Sequence, residues 1–267
     1  MSKAVFCDLD STLLARGNQI SPYSAEKIRE MNALGHHFII CTGRHPGNNE
    51  MISKLLGMQI KDFICTNGAV TMANGEYVLL KELPLEVRVK AGEICLNRGV
   101  SIVIFDPHGS TVFKNGVEKE TMEKQRVLED PEDFFTYIKR EDIIINKYML
   151  VGEHEDLLQI REDLQKELEG KVVLTFSEPY LLEIVPFGID KGLGIDRYCE
   201  AMHIDLKDTI GIGDSENDIK MLKKVSLATC VGNANQPVKE ICDYVATRSC
   251  IEGGVGEIIE KFVLEGE

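Results

Sequence analysis

Four short segments of the chain gather residue types that could do chemistry. The first is Asp8-Leu9-Asp10-Ser11-Thr12. In extended backbone, residues i and i+2 point to the same side, so Asp8 and Asp10 are expected to converge. Two close carboxylates repel each other unless a cation or a shared proton intervenes. A hard cation such as Mg²⁺ suits oxygen ligands and keeps several waters. The second segment, Thr42-Gly43-Arg44, offers a hydroxyl and a free backbone amide to a phosphate. The third, Asp190-Lys191-Gly192, carries a compact cation that can neutralise a phosphoryl group and a carboxylate at once. The fourth, Gly211-Ile212-Gly213-Asp214-Ser215-Glu216-Asn217-Asp218, crowds acids and an Asn into one turn whose glycines allow close backbone approach. Each alone also has an ordinary reading: an Asx turn, a strand-ending turn, a solvated lysine, a helix N-cap.

The elements around these segments decide between the two readings. Short apolar runs at 4–8, 37–41, 62–66, 209–213, 225–231 and 244–246 read as buried strands. They alternate with helices: one begun by Ser21-Pro22 and stopped by Gly35, others near 46–56, 191–202, 217–224 and 236–242, and a last one from Gly254. Asn74-Gly75 reads as a tight hairpin turn. Strand–helix alternation with apolar strands predicts an α/β fold with a doubly wound, Rossmann-like parallel sheet. In such a sheet the loops at the carboxyl ends of the strands share one crevice, and Asp8, Asp10, Thr42 and Asp214 belong at that edge. Three carboxylates there call for a cation, while the hydroxyl, the amide and the Lys call for an anion. A divalent cation beside a phosphate satisfies both demands.

Between 84 and 185 the grammar changes. Helices are expected at 84–98, 131–139 and 153–168, strands at 100–105, 144–151, 172–176 and 180–185, and a turn at Asn115-Gly116. Adjacent strands and paired helices predict an α+β unit with an antiparallel sheet, inserted into a core made of 1–83 and 186–267. Pro84 and Pro186 bracket it. Arg126, Lys147 and Tyr148 read as solvated residues of this insertion, with reach toward a substrate as the alternative.

Composition narrows the partners. The 267 residues carry a formal charge of −14, so a nucleic-acid coat or an anionic membrane surface would repel the protein. A small anion remains admissible, because a bound divalent cation reverses the field locally. The eight cysteines include no C-x-x-C and several lie in apolar runs, which predicts buried reduced thiols. The opening MSKAVFCDLD meets an acid too soon for a signal peptide, and no apolar stretch approaches the roughly 18 residues of a membrane span. A cytoplasmic protein with neither nucleic-acid nor membrane partners is expected; nothing in the pattern sets an oligomeric state.

Taken together the four segments closely resemble the motifs of the haloacid dehalogenase superfamily, specifically its Cof-type phosphatases with a large inserted cap, and the resemblance covers essentially the whole chain. D-x-D-x-T matches Asp8, Asp10 and Thr12; the post-strand Thr matches Thr42; the Lys matches Lys191; G-D-x-x-N-D matches Gly213 to Asp218. Thr66-Asn67-Gly68-Ala69 and Val231-Gly232-Asn233-Ala234 are softer matches to the subfamily. Ser11 departs from the usual Gly.

The resemblance implies hydrolysis of small phosphorylated metabolites, such as sugar phosphates or phosphorylated cofactors. In it, Asp8 is the nucleophile that forms an aspartyl-phosphate, and Asp10 is the general acid and then base. Asp8, Asp10 and Asp214 hold Mg²⁺. Thr42, the amides near Leu9 and Gly43, Lys191 and Asn217 bind the phosphoryl oxygens, and Asp218 supports them. The insertion would act as a substrate-selecting lid. The alternatives are a phosphomutase sharing the aspartyl-phosphate chemistry and a metabolite-binding regulator with little turnover.

Overall fold

A computed structural model describes residues 2–115 and 126–266. The chain forms two compact units: one of residues 1–44, 48–79 and 190–267, the other of residues 45–47 and 80–189. These divisions fall a few residues outside Pro84 and Pro186. A proline marks where a helix or strand is punctuated, whereas a unit ends where its packing ends.

The first unit begins with β1 (Ala4–Cys7), a hairpin of β2 (Leu14–Ala15) and β3 (Gln19–Ile20), helix α1 (Pro22–Ala33) and β4 (His37–Cys41). A 3₁₀ turn leads into α2 (Asn49–Leu56), followed by β5 (Phe63–Cys65), β6 (Val70–Ala73) and β7 (Glu76–Leu80). Asn74 and Gly75 join β6 to β7 with φ of 54° and 82°. Both central residues of a type I′ hairpin turn need such left-handed values, which Asn and Gly tolerate best.

The second unit contains α3 (Leu85–Arg98), β8 (Ser101–Asp106), β9 (Gly109–Phe113), β10 (Arg126–Leu128), α4 (Pro131–Ile138), β11 (Lys147–Val151), α5 (His154–Glu167), β12 (Val172–Glu178) and β13 (Leu181–Pro186). Its six-stranded sheet runs β10-β9-β8-β11-β13-β12, antiparallel except for β9 with β10. One face carries Ile102, Ile104, Tyr148, Leu150, Leu182 and Ile184, packed with helical residues such as Val87, Phe134 and Ile160. The other carries Val103, Phe105, Val112 and Met149. Lys147 and Tyr148 are not solvated: both are buried, on opposite faces of the sheet. The Lys147 ammonium lies 2.9 Å from Glu183 and 4.7 Å from the centre of the Phe105 ring. β11 is buried along its whole length, so both alternating sets of its residues are enclosed whatever their polarity. The Arg126 side chain and the Gly116 half of the expected turn lie outside the described residues.

The chain then returns to the first unit through α6 (Lys191–Met202), β14 (Thr209–Gly213), α7 (Ile219–Leu222), β15 (Leu227–Cys230), α8 (Gln236–Lys239), β16 (Tyr244–Val245) and α9 (Gly254–Ile259). The eight-stranded sheet has the order β16-β15-β14-β1-β4-β5-β6-β7. The strands from β16 to β5 are parallel, and β6 turns antiparallel. Phe6, Ile39 and Ile64 pack against Ile195 and Tyr198 of α6 and Met221 and Leu222 of α7. Val5, Cys7, Phe38 and Ile40 point the other way and are equally buried, and α1 packs on β4 and on α9. Helices on both faces explain why these strands are continuously apolar. Among the described residues no helix is long and apolar enough to cross a membrane.

Candidate active site

Strand register brings the motif residues together. Cys7 lies opposite Ile212 of β14 and Ile40 of β4, so the three strands end side by side. Asp8 follows β1 and extends the pairing by one bond, its amide donating to the Ile212 carbonyl at 2.9 Å. Asp214 follows β14 and Thr42 follows β4. Lys191 opens α6, whose N-cap Asp190 accepts from the Leu193 amide at 2.9 Å.

Lys191 is the hub. It is 1% exposed, and its ammonium donates to Asp8 Oδ1 and to Asp218 Oδ1, each at 2.6 Å. The second Asp218 oxygen accepts from the amides of Asp214, at 3.0 Å, and Ser215, at 3.2 Å. Asp218 therefore spends both oxygens tying Lys191 to the turn after β14. Gly213 makes room for it: a Cβ there would sit 2.6 Å from Cβ of Asp218. Buried Thr12 donates its hydroxyl to Asp214 Oδ1 at 2.7 Å.

The carboxylates of Asp8, Asp214 and Asp218 can bring one oxygen each within 4.8 Å of the others. Three buried acids face one ammonium, and the imbalance falls on Asp8 and Asp214. Burial, then the Asp218 charge, pushes the Asp8 carboxyl well above the usual range against the pull of Lys191. Asp214 is pushed up to about 6, by burial first, with Asp218 and Asp10 adding and the Thr12 hydrogen bond opposing. Burial pulls the Lys191 ammonium down, but Asp218 and Asp8 hold it well above the ordinary lysine value. The Cys7 and Cys41 thiols beside them are raised by burial, which keeps them neutral and unreactive.

Among the described residues, nothing hydrogen-bonds to the second carboxylate oxygen of Asp8 or of Asp214. Buried oxygen donors with unused lone pairs and an excess of negative charge fit a hard divalent cation.

The acidic trio that the structure gathers is not the expected one. Asp10 replaces Asp218 in the expectation, but its carboxylate lies outside the cluster. The strand ends at Cys7 and the chain turns at once, so the i, i+2 rule no longer holds at Asp10. Ser11 takes φ of 62°, a left-handed value that accounts for Gly being usual there and that this chain accommodates with a Cβ. The Asp10 carboxylate turns instead to Arg44, whose Nε and Nη2 donate to its two oxygens at 3.0 and 2.5 Å.

Thr42 is buried, and its hydroxyl accepts from the Arg44 amide at 3.1 Å. Gly43 is tight against Asn67, whose Oδ1 would lie 2.8 Å from a Cβ at that position. The Leu9 side chain is in the core, which leaves only its main chain for a ligand. Asn217 is exposed, and its amide oxygen accepts from the Ser215 hydroxyl at 2.8 Å, leaving the amide nitrogen as a donor.

Two contributors are not anticipated by residue type alone. Arg44 stands in the T-G-R segment, but its partner is 34 positions away. Asn233, in V-G-N-A, donates to the Ser11 carbonyl and accepts from the Cys250 amide, both at 2.7 Å. It thus ties the turn after Asp10 to the C-terminal segment. Pairing of distant polar residues has no periodic signal; a short motif containing an Asn or Arg that no cap or turn requires is the only cue.

Comparison with known proteins finds similarity along nearly the whole chain. A putative phosphatase of Streptococcus pyogenes serotype M6 is 26% identical over 266 residues, covering 98% of both chains. An HMP-PP phosphatase of Yersinia pseudotuberculosis is 24% identical over 262 residues, 96% of this chain and 93% of that one. The crystal structure of a haloacid dehalogenase-like hydrolase from Bacteroides thetaiotaomicron superposes with a TM-score of 0.85 at 27% identity, covering 98% of this chain and all of the other. Residues 5–259 match the haloacid dehalogenase-like hydrolase family itself, and the chain, with its acids at the sheet's carboxyl edge and its inserted α+β unit, belongs to that family as a phosphatase of the Cof type.

Proposed function

We propose that the protein hydrolyses small phosphorylated metabolites, sugar phosphates or phosphorylated cofactors, in two steps through an aspartyl-phosphate on Asp8. The observation that carries this is the half-satisfied Asp8 carboxylate. Lys191 holds one oxygen at 2.6 Å while the other accepts nothing from the described residues. A nucleophile oriented in this way attacks phosphorus along a set direction. As the Asp8 oxygen bonds to phosphorus, the bond to the leaving oxygen breaks, and Asp10 gives that oxygen its proton. Asp10 then takes a proton from a water that attacks the phosphorus, releasing phosphate and restoring Asp8.

Lys191, the Thr42 hydroxyl, the main-chain amides of Leu9 and Gly43 and the Asn217 amide nitrogen bind the phosphoryl oxygens, where positioning and charge do most of the catalysis. Asp8 and Asp214 would hold Mg²⁺ through carboxylate oxygens, and Asp10 has its main-chain carbonyl to offer while its carboxylate stays on Arg44. Bound there, the cation offsets charge between the nucleophile and the phosphate. Asp218 supports the site by fixing Lys191. The second unit acts as a lid that selects among substrates. The names of the relatives, phosphatases of which one acts on HMP-PP, support this substrate class.

A panel of some tens of phosphorylated metabolites with Mg²⁺, scored by released phosphate, tests the reading. The expected result is turnover of a subset of them, abolished by chelator and restored by Mg²⁺. No release from any of them, or full activity in chelator from protein shown to be metal-free, contradicts it.

A further inference from the structure

We infer that Arg44 is the positioning residue of the acid–base step: its guanidinium fork holds the Asp10 carboxylate in one orientation, and it acts on catalysis only through Asp10. The inference rests on the acid–base role proposed for Asp10.

The geometry is specific. Arg44 Nε donates to Asp10 Oδ2 at 3.0 Å and Nη2 to Oδ1 at 2.5 Å, so both oxygens are gripped by one planar group. Nη2 also donates to Asn18 Oδ1 at 3.2 Å, which fixes the fork from its outer side. The base of the fork is anchored as well. The Arg44 amide donates to the Thr42 hydroxyl at 3.1 Å, and its carbonyl accepts from the Thr66 amide at 2.8 Å.

Exposure separates this pair from a stabilising one. The Asp10 side chain is 59% exposed and that of Arg44 25%. Ion pairs so open to water contribute little to folding, because solvent screens them and ordering two side chains costs entropy. What the fork changes is freedom. An exposed carboxylate just beyond a strand end otherwise samples several rotamers, and a proton carrier must meet the leaving oxygen in one of them. A bidentate grip leaves the outer lone pair of each Asp10 oxygen available for the proton. The carboxylate stays fixed between its first task, giving a proton, and its second, taking one from water.

Lysine cannot do this. Its ammonium is a point charge on a flexible stem and fixes no plane.

The test uses kcat/KM, which reports the steps up to formation of the aspartyl-phosphate. A nitrophenyl phosphate has a leaving group that needs no proton, whereas an alkyl phosphate needs one. Arg44→Met is expected to lower kcat/KM for the alkyl phosphate by roughly 10–10²-fold and to leave that for the nitrophenyl phosphate nearly unchanged. Arg44→Lys recovers only part of the loss, and neither variant shifts Tm appreciably. In an Asp10→Asn background, Arg44→Met costs nothing further, because the group it positions is already disabled.

Equal losses with both esters, or the full Arg44→Met loss persisting in the Asp10→Asn background, would show Arg44 acting on substrate or scaffold and overturn the inference. Should Asp10→Asn itself keep the wild-type rate on the alkyl phosphate, the acid–base reading of Asp10 falls, and the inference with it. If Arg44→Met does not fold, the single-point Arg44→Lys carries the same test: a loss with the alkyl ester alone supports the inference and equal losses overturn it.

Discussion

At Asp214 charge and folding are linked, and a bound cation would be linked to both. Its carboxyl is pushed up to about 6 from an ordinary value of 3.8. A folded value above the unfolded one means that Asp214 favours the folded state fully below about pH 4, a contribution lost as the pH rises through about 6. A cation bound to the ionised carboxylate offsets that loss and competes with the proton. The rise in Tm caused by Mg²⁺ is therefore expected to grow between about pH 5 and about pH 7, and to be small at both in Asp214→Asn. In chelator, Asp214→Asn should gain Tm relative to the wild type over the same window. A differential scanning measurement that finds the Mg²⁺ shift independent of pH would contradict the placement of Asp214 at the cation.

At the scale of elements, the turn at Thr66-Asn67-Gly68 bears on Lys191 through the start of α6. Gly68 has φ of 103°, and a Cβ there would strike the carbonyl oxygen of Asp190, the N-cap of α6. Gly68→Ala is expected to cost about 1–3 kcal/mol of stability, since backbone cannot yield as a side-chain tip can. It should also lower kcat, because the displaced residue adjoins Lys191. Unchanged stability and rate in that variant would mean that the turn gives way freely and does not set the start of α6.

The same scale shows what a sequence can carry. Strands such as His37–Cys41 and Thr209–Gly213 and the helix from Lys191 lie where their apolar runs and punctuation put them, because burial on both faces writes itself into composition. The hairpin of Leu14–Ala15 and Gln19–Ile20 does not, since two-residue strands have no period to detect. The strand Gly109–Phe113 was hidden because Gly, Ser and Thr resemble turn residues until buried. In the site, the placement of Asp8, Thr42 and Asp214 follows from strand ends, and that of Lys191 from a helix start. That the Asp218 carboxylate joins this cluster while the Asp10 carboxylate turns to Arg44 does not follow in this way, because it depends on how far the backbone has turned after Cys7.

For the whole molecule, every motif residue lies in the first unit and none in the second. If the second unit selects the substrate, replacing 81–189 with a short flexible linker leaves the chemistry and removes the choice. The shortened protein is expected to retain Mg²⁺ binding and slow cleavage of a small aryl phosphate, while its ranking of metabolites flattens. A folded remnant that kept the full-length ranking and rates would place selectivity in the first unit.

The central claim is that Asp8 becomes covalently phosphorylated. Rapid acid quenching of the wild type during turnover of an aryl phosphate, followed by peptide mass spectrometry, tests it directly. The account predicts one added phosphoryl group on the peptide containing Asp8, more of it in Asp10→Asn on an ester with a good leaving group, and none in Asp8→Asn, whose carboxamide is a poor nucleophile. A phosphoryl group on another residue, or an adduct that survives in Asp8→Asn, would contradict it.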